Sequence, residues 1–212
     1  MTKLAPSMLA ADQLRLFEGL DQVNIYADIV HLDVMDGHFV DNMALGTETC
    51  KAICKLATRP SYAHLMVTNP MHHLEAFWNM GCKAFVWHVE LEIDHLDLIL
   101  SVKEKQMCAG LAISPGTDIK LLKPYIDSVD LVTVMGVMPG KAGQAFIPET
   151  VNRVKAIRAL SKNIAIEVDG GVNLENALSL VKAGADILVS GSSFFKSQDK
   201  MVFANSIRQL RR

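Results

Sequence analysis

The feature that most constrains this chain is alternation. From end to end, short β-branched or apolar runs take turns with longer stretches whose apolar residues recur at helical spacing. The pattern predicts strands at Leu4–Leu9, Ile29–Val34, Ser61–Met66, Ala84–His88, Cys108–Ala112, Leu131–Met135, Ile164–Val168 and Ile187–Ser190. It predicts helices at Ala11–Asn24, Thr47–Leu56, Pro70–Met80, Leu96–Lys105, Pro148–Leu160 and Leu174–Ala183, a weaker one at Asp118–Tyr125, and a closing one at Lys200–Leu210. Eight strand–helix units in 212 residues average about 26 residues each, the compact spacing of a (β/α)8 barrel. An open doubly wound sheet would usually need fewer strands, and no G-x-G-x-x-G follows an early strand. No Pro/Ser-rich linker, low-complexity tract or charge block breaks the alternation. The expectation is one α/β domain, a single (β/α)8 TIM barrel over residues 1–212.

Charge and hydropathy narrow the function classes. Lys+Arg 21 against Asp+Glu 23 leaves a net charge of −2, which argues against a nucleic-acid binder held on phosphates by a basic face. No apolar run approaches the roughly 18 residues that cross a bilayer, and the opening Met-Thr-Lys-Leu-Ala-Pro-Ser lacks the apolar core of a secretion signal. The expectation is a soluble, cytoplasmic protein without nucleic-acid or membrane partners. Four cysteines (Cys50, Cys54, Cys82, Cys108) contain no C-x-x-C pair, which points to reduced thiols in or near the core.

Several polar residues stand where a barrel strand should be apolar. Inward and outward positions alternate along a strand. In Ile29-Val30-His31-Leu32-Asp33-Val34-Met35-Asp36-Gly37, His31, Asp33 and Met35 share one face, and Leu32 and Val34 the other. The second pair suits the helix layer, which sends a histidine and a carboxylate inward. Tyr62, His64 and Met66 share a face of the third predicted strand, and Glu167 and Asp169 a face of the seventh. Burying such groups is costly unless they are paired or bind a metal. A lone strand histidine is more often a hydrogen-bonded core residue, but two imidazoles and two carboxylates near strand ends suffice to ligate Zn, Fe, Mn or Co. His88 closes the fourth strand and could face the pocket, whereas His38, His72, His73 and His95 fall in loops or helix starts and read as solvated.

The second and seventh strands lie three steps apart around an eight-strand ring, so Asp33 and Asp169 approach a bound ligand from nearly opposite walls. Carboxylates on two faces of one carbon are what a stereochemical inversion needs. Glycine-rich stretches follow the sixth, seventh and eighth strands: Met138-Pro139-Gly140-Lys141-Ala142-Gly143-Gln144, Asp169-Gly170-Gly171-Val172-Asn173 and Ser190-Gly191-Ser192-Ser193. Each alone is a tight turn; three on adjacent strands suggest backbone N–H groups gathered around a phosphate.

The phrases Leu4-Ala-Pro-Ser7, His31-Leu-Asp-Val-Met-Asp-Gly-His-Phe39, His64-Leu-Met-Val67, Pro139-Gly-Lys-Ala-Gly-Gln144 and Glu167-Val-Asp-Gly-Gly171 resemble the ribulose-phosphate 3-epimerase family over essentially the whole chain. The resemblance implies a barrel enzyme that interconverts a 2-ketose phosphate and its C3 epimer through an enediolate, in the first instance D-ribulose 5-phosphate and D-xylulose 5-phosphate. It places one divalent metal ion on His31, Asp33, His64 and Asp169, and the two acid/base roles on Asp33 and Asp169. It places substrate contacts on Ser7, His64, Gly140, Gly143, Gly171, Gly191 and Ser192, and sets Met35, Met66 and Met135 beneath the metal. It also implies a homo-oligomer, dimer or hexamer.

The chain departs from the family pattern at several positions. Asp41-Asn42 replaces Pro-Asn, and Tyr62 replaces an aspartate expected to sit below His64 and help orient it. Lys141-Ala142 replaces Phe-Gly in a loop that covers the substrate, and Ser114-Pro115 replaces Asn-Pro. These changes bear on substrate choice. D-allulose 6-phosphate is the rival substrate, since Leu56-Ala-Thr-Arg-Pro60 and His64-Leu-Met-Val-Thr68 resemble that branch. A phosphosugar decarboxylase would carry Asp-x-Lys-x-x-Asp where this chain has His31-x-Asp33, and a non-catalytic phosphate-binding barrel would not keep the ligand set.

Overall fold

A computed structural model describes residues 1–211. The strands are β1 (Lys3–Ala5), β2 (Val30–Asp36), β3 (Met43–Ala44), β4 (Ser61–Met66), β5 (Ala84–His88), β6 (Cys108–Ile113), β7 (Leu131–Met135), β8 (Ala165–Asp169) and β9 (Ile187–Val189). The helices are α1 (Leu16–Tyr26), α2 (Thr47–Leu56), α3 (Leu74–Asn79), α4 (His95–Glu104), α5 (Thr150–Leu160), α6 (Leu174–Ala183), α7 (Ser192–Lys196) and α8 (Lys200–Arg208). Parallel neighbours follow one another as β1-β9-β8-β7-β6-β5-β4-β2. The ring closes between β2 and β1. There the Leu4 carbonyl accepts from the N–H groups of Asp28 and Ile29 at 3.0 and 3.3 Å, the Pro6 carbonyl accepts from His31 at 3.2 Å, and Ser7 bridges to His31. The result is the expected (β/α)8 barrel.

Local chemistry explains the departures from the predicted elements. Pro6 has no N–H to give to a ladder, so β1 stops at Ala5 and Met8–Ala10 coil into a 3-10 turn. Between β6 and β7 the weak helical pattern yields only a 3-10 turn, Ile119–Leu122. Pro124 cannot donate back to the Lys120 carbonyl, so a helical ladder cannot continue there. Two elements went unpredicted: β3, which pairs antiparallel with the end of β2, and α7.

Two apolar layers hold the ring. Outward-facing Leu32, Leu65, Trp87, Leu111, Val132, Ile166 and Leu188 pack under the helices against Val23, Ile53, Val102, Val154, Leu180 and Ile207. Each such buried side chain contributes about 1.5–3 kcal/mol relative to exposure. Inside the ring, Ala5, Ile29, Val86, Ala112, Leu131, Ile187 and Val189 form a separate cluster. Arg208 clasps Asp28, which also accepts from the Leu4 N–H, tying α8 to the start of the ring. All four cysteines are free thiols; Cys50 and Cys82 are buried and Cys54 half-buried, but Cys108, expected near the core, is exposed at the start of β6. No helix among the described residues is long and apolar enough to cross a membrane.

Candidate active site

Alternation in β2 turns Leu32 and Val34 toward the helices and His31, Asp33 and Met35 into the ring. The β2–β4 register sets Asp33 beside His64, and Asp169 ends β8, three strands round in the other direction. One donor atom from each of His31, Asp33, His64 and Asp169 then lies within 4.8 Å of the others, and all four residues are buried. His64 Nδ1 stands 2.9 Å from Asp33 Oδ1 and 3.2 Å from Asp169 Oδ2, so the two carboxylates flank one ring nitrogen. His31 Nδ1 is 3.4 Å from Asp33 Oδ2, and its Nε2 is 3.4 Å from Glu167 Oε1. Neither nitrogen of His31 has a hydrogen-bond partner. Ser7 donates its hydroxyl to Asp33 Oδ2, and Thr133 donates to Glu167 Oε1 at 2.8 Å.

The far side of His64 is also engaged. Its Nε2 lies 3.0 Å from His88 Nε2. His88 Nδ1 lies 3.1 Å from Glu90 Oε2 and 3.3 Å from the Ser114 hydroxyl, and Glu90 Oε1 accepts from the Ser114 N–H at 2.6 Å. Phe39 covers His88, with ring centroids 4.5 Å apart.

Charges in this cluster pull hard on one another. Burial alone would lower His31, but Asp33 and Glu167 reverse it and leave the imidazole well above its usual range. Burial would raise Asp33, yet His31 and His64 hold it far below the ordinary carboxylate range. His64 is pushed up to about 9, because Asp169 and Asp33 outweigh its burial. Asp169 is raised, by burial and then by the charge of Asp33. His88, by contrast, is pushed down to about 4, chiefly by burial. Hydrogen bonds from His88 and the Ser114 N–H outweigh the burial of Glu90 and hold it near 2.

The donor set fits a divalent transition cation. Imidazole and carboxylate are its natural ligands, the nitrogens of buried His31 make no hydrogen bond and have only charge contacts at 3.4 Å, and a cation would relieve two carboxylates pressed together. Above this floor opens a cavity of about 240 Å3, lined by Ser7, Asp33, Asp169 and the three methionines Met35, Met66 and Met135. Gly140, Gly143, Gly171, Gly191 and Ser192 line the same cavity, so the three glycine-rich loops do converge. Gly171 is required by its backbone: φ is +68°, and a Cβ would come 2.7 Å from the Phe146 Cα. At Gly191 a Cβ would come 2.7 Å from Ala10.

Tyr62 sits below His64 on the inner face, as expected, and lines a second cavity of about 240 Å3, with Lys3 and Cys108, at the opposite end of the ring; the neighbour of His64 Nε2 is His88. The structure corrects two local expectations. His88 itself is fully buried behind the floor instead of facing the pocket. His95 is not solvated: it is buried, with Nδ1 accepting from the Trp87 indole N–H at 3.0 Å and Nε2 3.0 Å from the Leu91 carbonyl. Glu90 and Thr133 carry no signal in the sequence, since the contacts Glu90–Ser114 and Thr133–Glu167 cross between strands; Ser114 stands out there only as a departure from the family's Asn-Pro. His64 is fully buried and lies below the cavity lining, while Lys141 and Ala142 are exposed at its rim.

A closed parallel barrel with two carboxylates facing one cavity at the C-terminal ends of its strands is the framework of a proton-transferring isomerase. The sequence model described as the ribulose-phosphate 3 epimerase family matches residues 3–195. The chain is 37% identical over 212 residues to the cytoplasmic isoform of ribulose-phosphate 3-epimerase from Oryza sativa subsp. japonica, covering 98% of this chain and 93% of that protein. It is 35% identical over 215 residues to ribulose-phosphate 3-epimerase from Bacillus subtilis (strain 168), covering 98% and 99%. The chain belongs to the ribulose-phosphate 3-epimerase family. In fold alone it is also similar to 3-hexulose-6-phosphate synthase from Salmonella typhimurium, with TM-score 0.74 at 17% identity over 98% of this chain and 97% of that one. Orotidine 5'-phosphate decarboxylase from Pyrococcus horikoshii OT3 is a further likeness in fold, with TM-score 0.69, 17% identity and coverage of 98% and 100%.

Proposed function

We propose that this isomerase interconverts a 2-ketose phosphate and its C3 epimer, with D-ribulose 5-phosphate and D-xylulose 5-phosphate as the pair. The observation that carries the reading is that Asp33 and Asp169, from strands three steps apart round the ring, flank His64 Nδ1 from two sides and both line the cavity. One carboxylate removes the C3 proton, and the other delivers a proton from the opposite face of the planar enediolate; in the reverse direction the roles exchange. Ser7, hydrogen-bonded to Asp33, fixes the orientation of that carboxylate. A divalent cation held by His31, Asp33, His64 and Asp169 would supply Lewis-acid stabilisation of the charge that develops on the C2 oxygen. The loops bearing Gly140, Gly143, Gly171, Gly191 and Ser192 grip the phosphate and keep C3 between the two carboxylates, which contributes orientation and not chemistry.

The rival hexulose reading gains nothing from the fold. The cytoplasmic setting and the homo-oligomer belong to this proposal by family resemblance. Turnover is expected to be highest on the pentulose phosphates when the purified, chelated protein is reloaded with each of Zn2+, Fe2+, Mn2+ and Co2+ and offered D-ribulose 5-phosphate and D-allulose 6-phosphate. Faster turnover of the hexulose phosphate would overturn the substrate assignment, and turnover of neither would overturn the epimerase reading.

A further inference from the structure

A chain of polar contacts runs away from the cavity through four buried or half-buried groups: His64 Nε2 to His88 Nε2, His88 Nδ1 to Glu90 Oε2, and Glu90 Oε1 to the Ser114 N–H. None of His88, Glu90 and Ser114 lines the active-site cavity, so none is placed to touch the substrate. We propose that His88 and Glu90 are positioning residues that dictate which ring nitrogen of His64 keeps its hydrogen, leaving Nδ1 free to ligate a cation. This rests on the cation reading of the Asp33–Asp169 floor and adds a control over it.

The direction of each hydrogen bond follows from one fixed donor. The Ser114 backbone N–H can only donate, and it occupies Glu90 Oε1 at 2.6 Å. Glu90 Oε2, a carboxylate oxygen, can only accept, so the hydrogen between Glu90 and His88 belongs to His88 Nδ1. A neutral His88 with its hydrogen on Nδ1 presents a bare lone pair at Nε2. Across 3.0 Å, that lone pair needs a donor, and the group opposite is His64 Nε2. His64 therefore keeps Nε2–H, and the nitrogen left to coordinate is Nδ1, the one that faces Asp33 and Asp169. Ligating imidazoles are commonly set in this way by the partner of the other nitrogen. Here the carboxylate acts through an intervening imidazole. Two features brace the outer end: the Ser114 hydroxyl stands 3.3 Å from His88 Nδ1, and Arg153 donates to the Ser114 carbonyl at 3.0 Å. Phe39 packs against His88 with its ring tilted by 42°, and His88 is fully buried.

Glu90→Gln isolates the proposal because it changes charge and donor pattern while keeping shape. Its single carbonyl oxygen is claimed by the Ser114 N–H, so its NH2 turns to His88 Nδ1. That makes Nδ1 an acceptor, moves the His88 hydrogen to Nε2, and sets two N–H groups against each other unless His64 carries its hydrogen on Nδ1. The measurement is Zn2+ affinity of the full-length chelated protein, by competition with a fluorescent chelator. Zn2+ binding by Glu90→Gln and His88→Leu is expected to be weaker by about 10–100-fold. His88→Gln, which keeps a carbonyl acceptor in place of Nε2, is expected to recover much of the loss. Unfolding curves identify any variant that does not fold, and the near-isosteric Glu90→Gln then decides. A parent that takes up no Zn2+ overturns the cation reading and this inference with it. A parent that binds, with a folded Glu90→Gln that binds as tightly, overturns the relay alone; so does a His88→Gln no better than His88→Leu.

Discussion

At the N-terminal end of the ring, the inward positions include Ile29, Tyr62, Val86, Leu131 and Ala165; two residues further along the same strands they become His31, His64, His88, Thr133 and Glu167. One strand geometry serves both ends, and only the chemistry of alternate residues differs. The apolar end is self-sufficient, since each side chain gains from leaving water. The polar end is not. Its buried imidazoles and carboxylates forgo that gain and need partners, and they find them in one another, in Ser7 and in the His88–Glu90 contacts. The same barrel is thus held at one end and made reactive at the other.

Substitutions at the two ends should separate activity from stability. The largest expected effect is at the mouth: Asp33→Asn and Asp169→Asn should each cut turnover by at least about 10²–10⁴-fold, measured as exchange of the C3 proton with solvent, while the phosphosugar still binds. Leu131→Ala, at the apolar end, should cost about 2–5 kcal/mol in chemical denaturation and leave kcat of the folded protein unchanged. An effect of Leu131→Ala on kcat would break the division.

Acid should distinguish the ends too. The carboxyl of Glu90 is held near 2 in the fold against an ordinary 4.5, so the unfolded chain binds its proton first. Its contribution to stability is complete above about pH 4.5 and is lost as pH falls toward 2. Urea unfolding across that window should show the gap between parent and Glu90→Gln closing as the solution is acidified; a constant gap would contradict it. The smallest effect is expected for Arg208→Ala. It removes the clasp on Asp28 from partly exposed positions and should cost about 1 kcal/mol with no change in the KM of the sugar phosphate.

Much of this division is legible in the sequence, and the parts that are not share one cause. β4, β5, β7, α2 and α6 fall where periodicity places them, because an apolar pattern with a clear period needs no tertiary information. The inward turn of His31, Asp33, His64 and Asp169 follows from alternation alone. What escapes is pairing across the ring. The burial of His95 depends on Trp87 from the preceding strand, and the contact between His64 and His88 depends on β4–β5 register. Tyr62 shares a face with His64, and two residues along a strand is roughly 6–7 Å, which places it at the other end of the barrel interior.

The most direct test of the account is the reaction of D-ribulose 5-phosphate in D2O, followed at early times by the deuterium content at C3. Two carboxylates on opposite faces predict that nearly every D-xylulose 5-phosphate formed carries solvent deuterium at C3. Product that retains the original hydrogen would mean that one group both removes and returns it, and the opposed placement of Asp33 and Asp169 would not be the basis of the inversion.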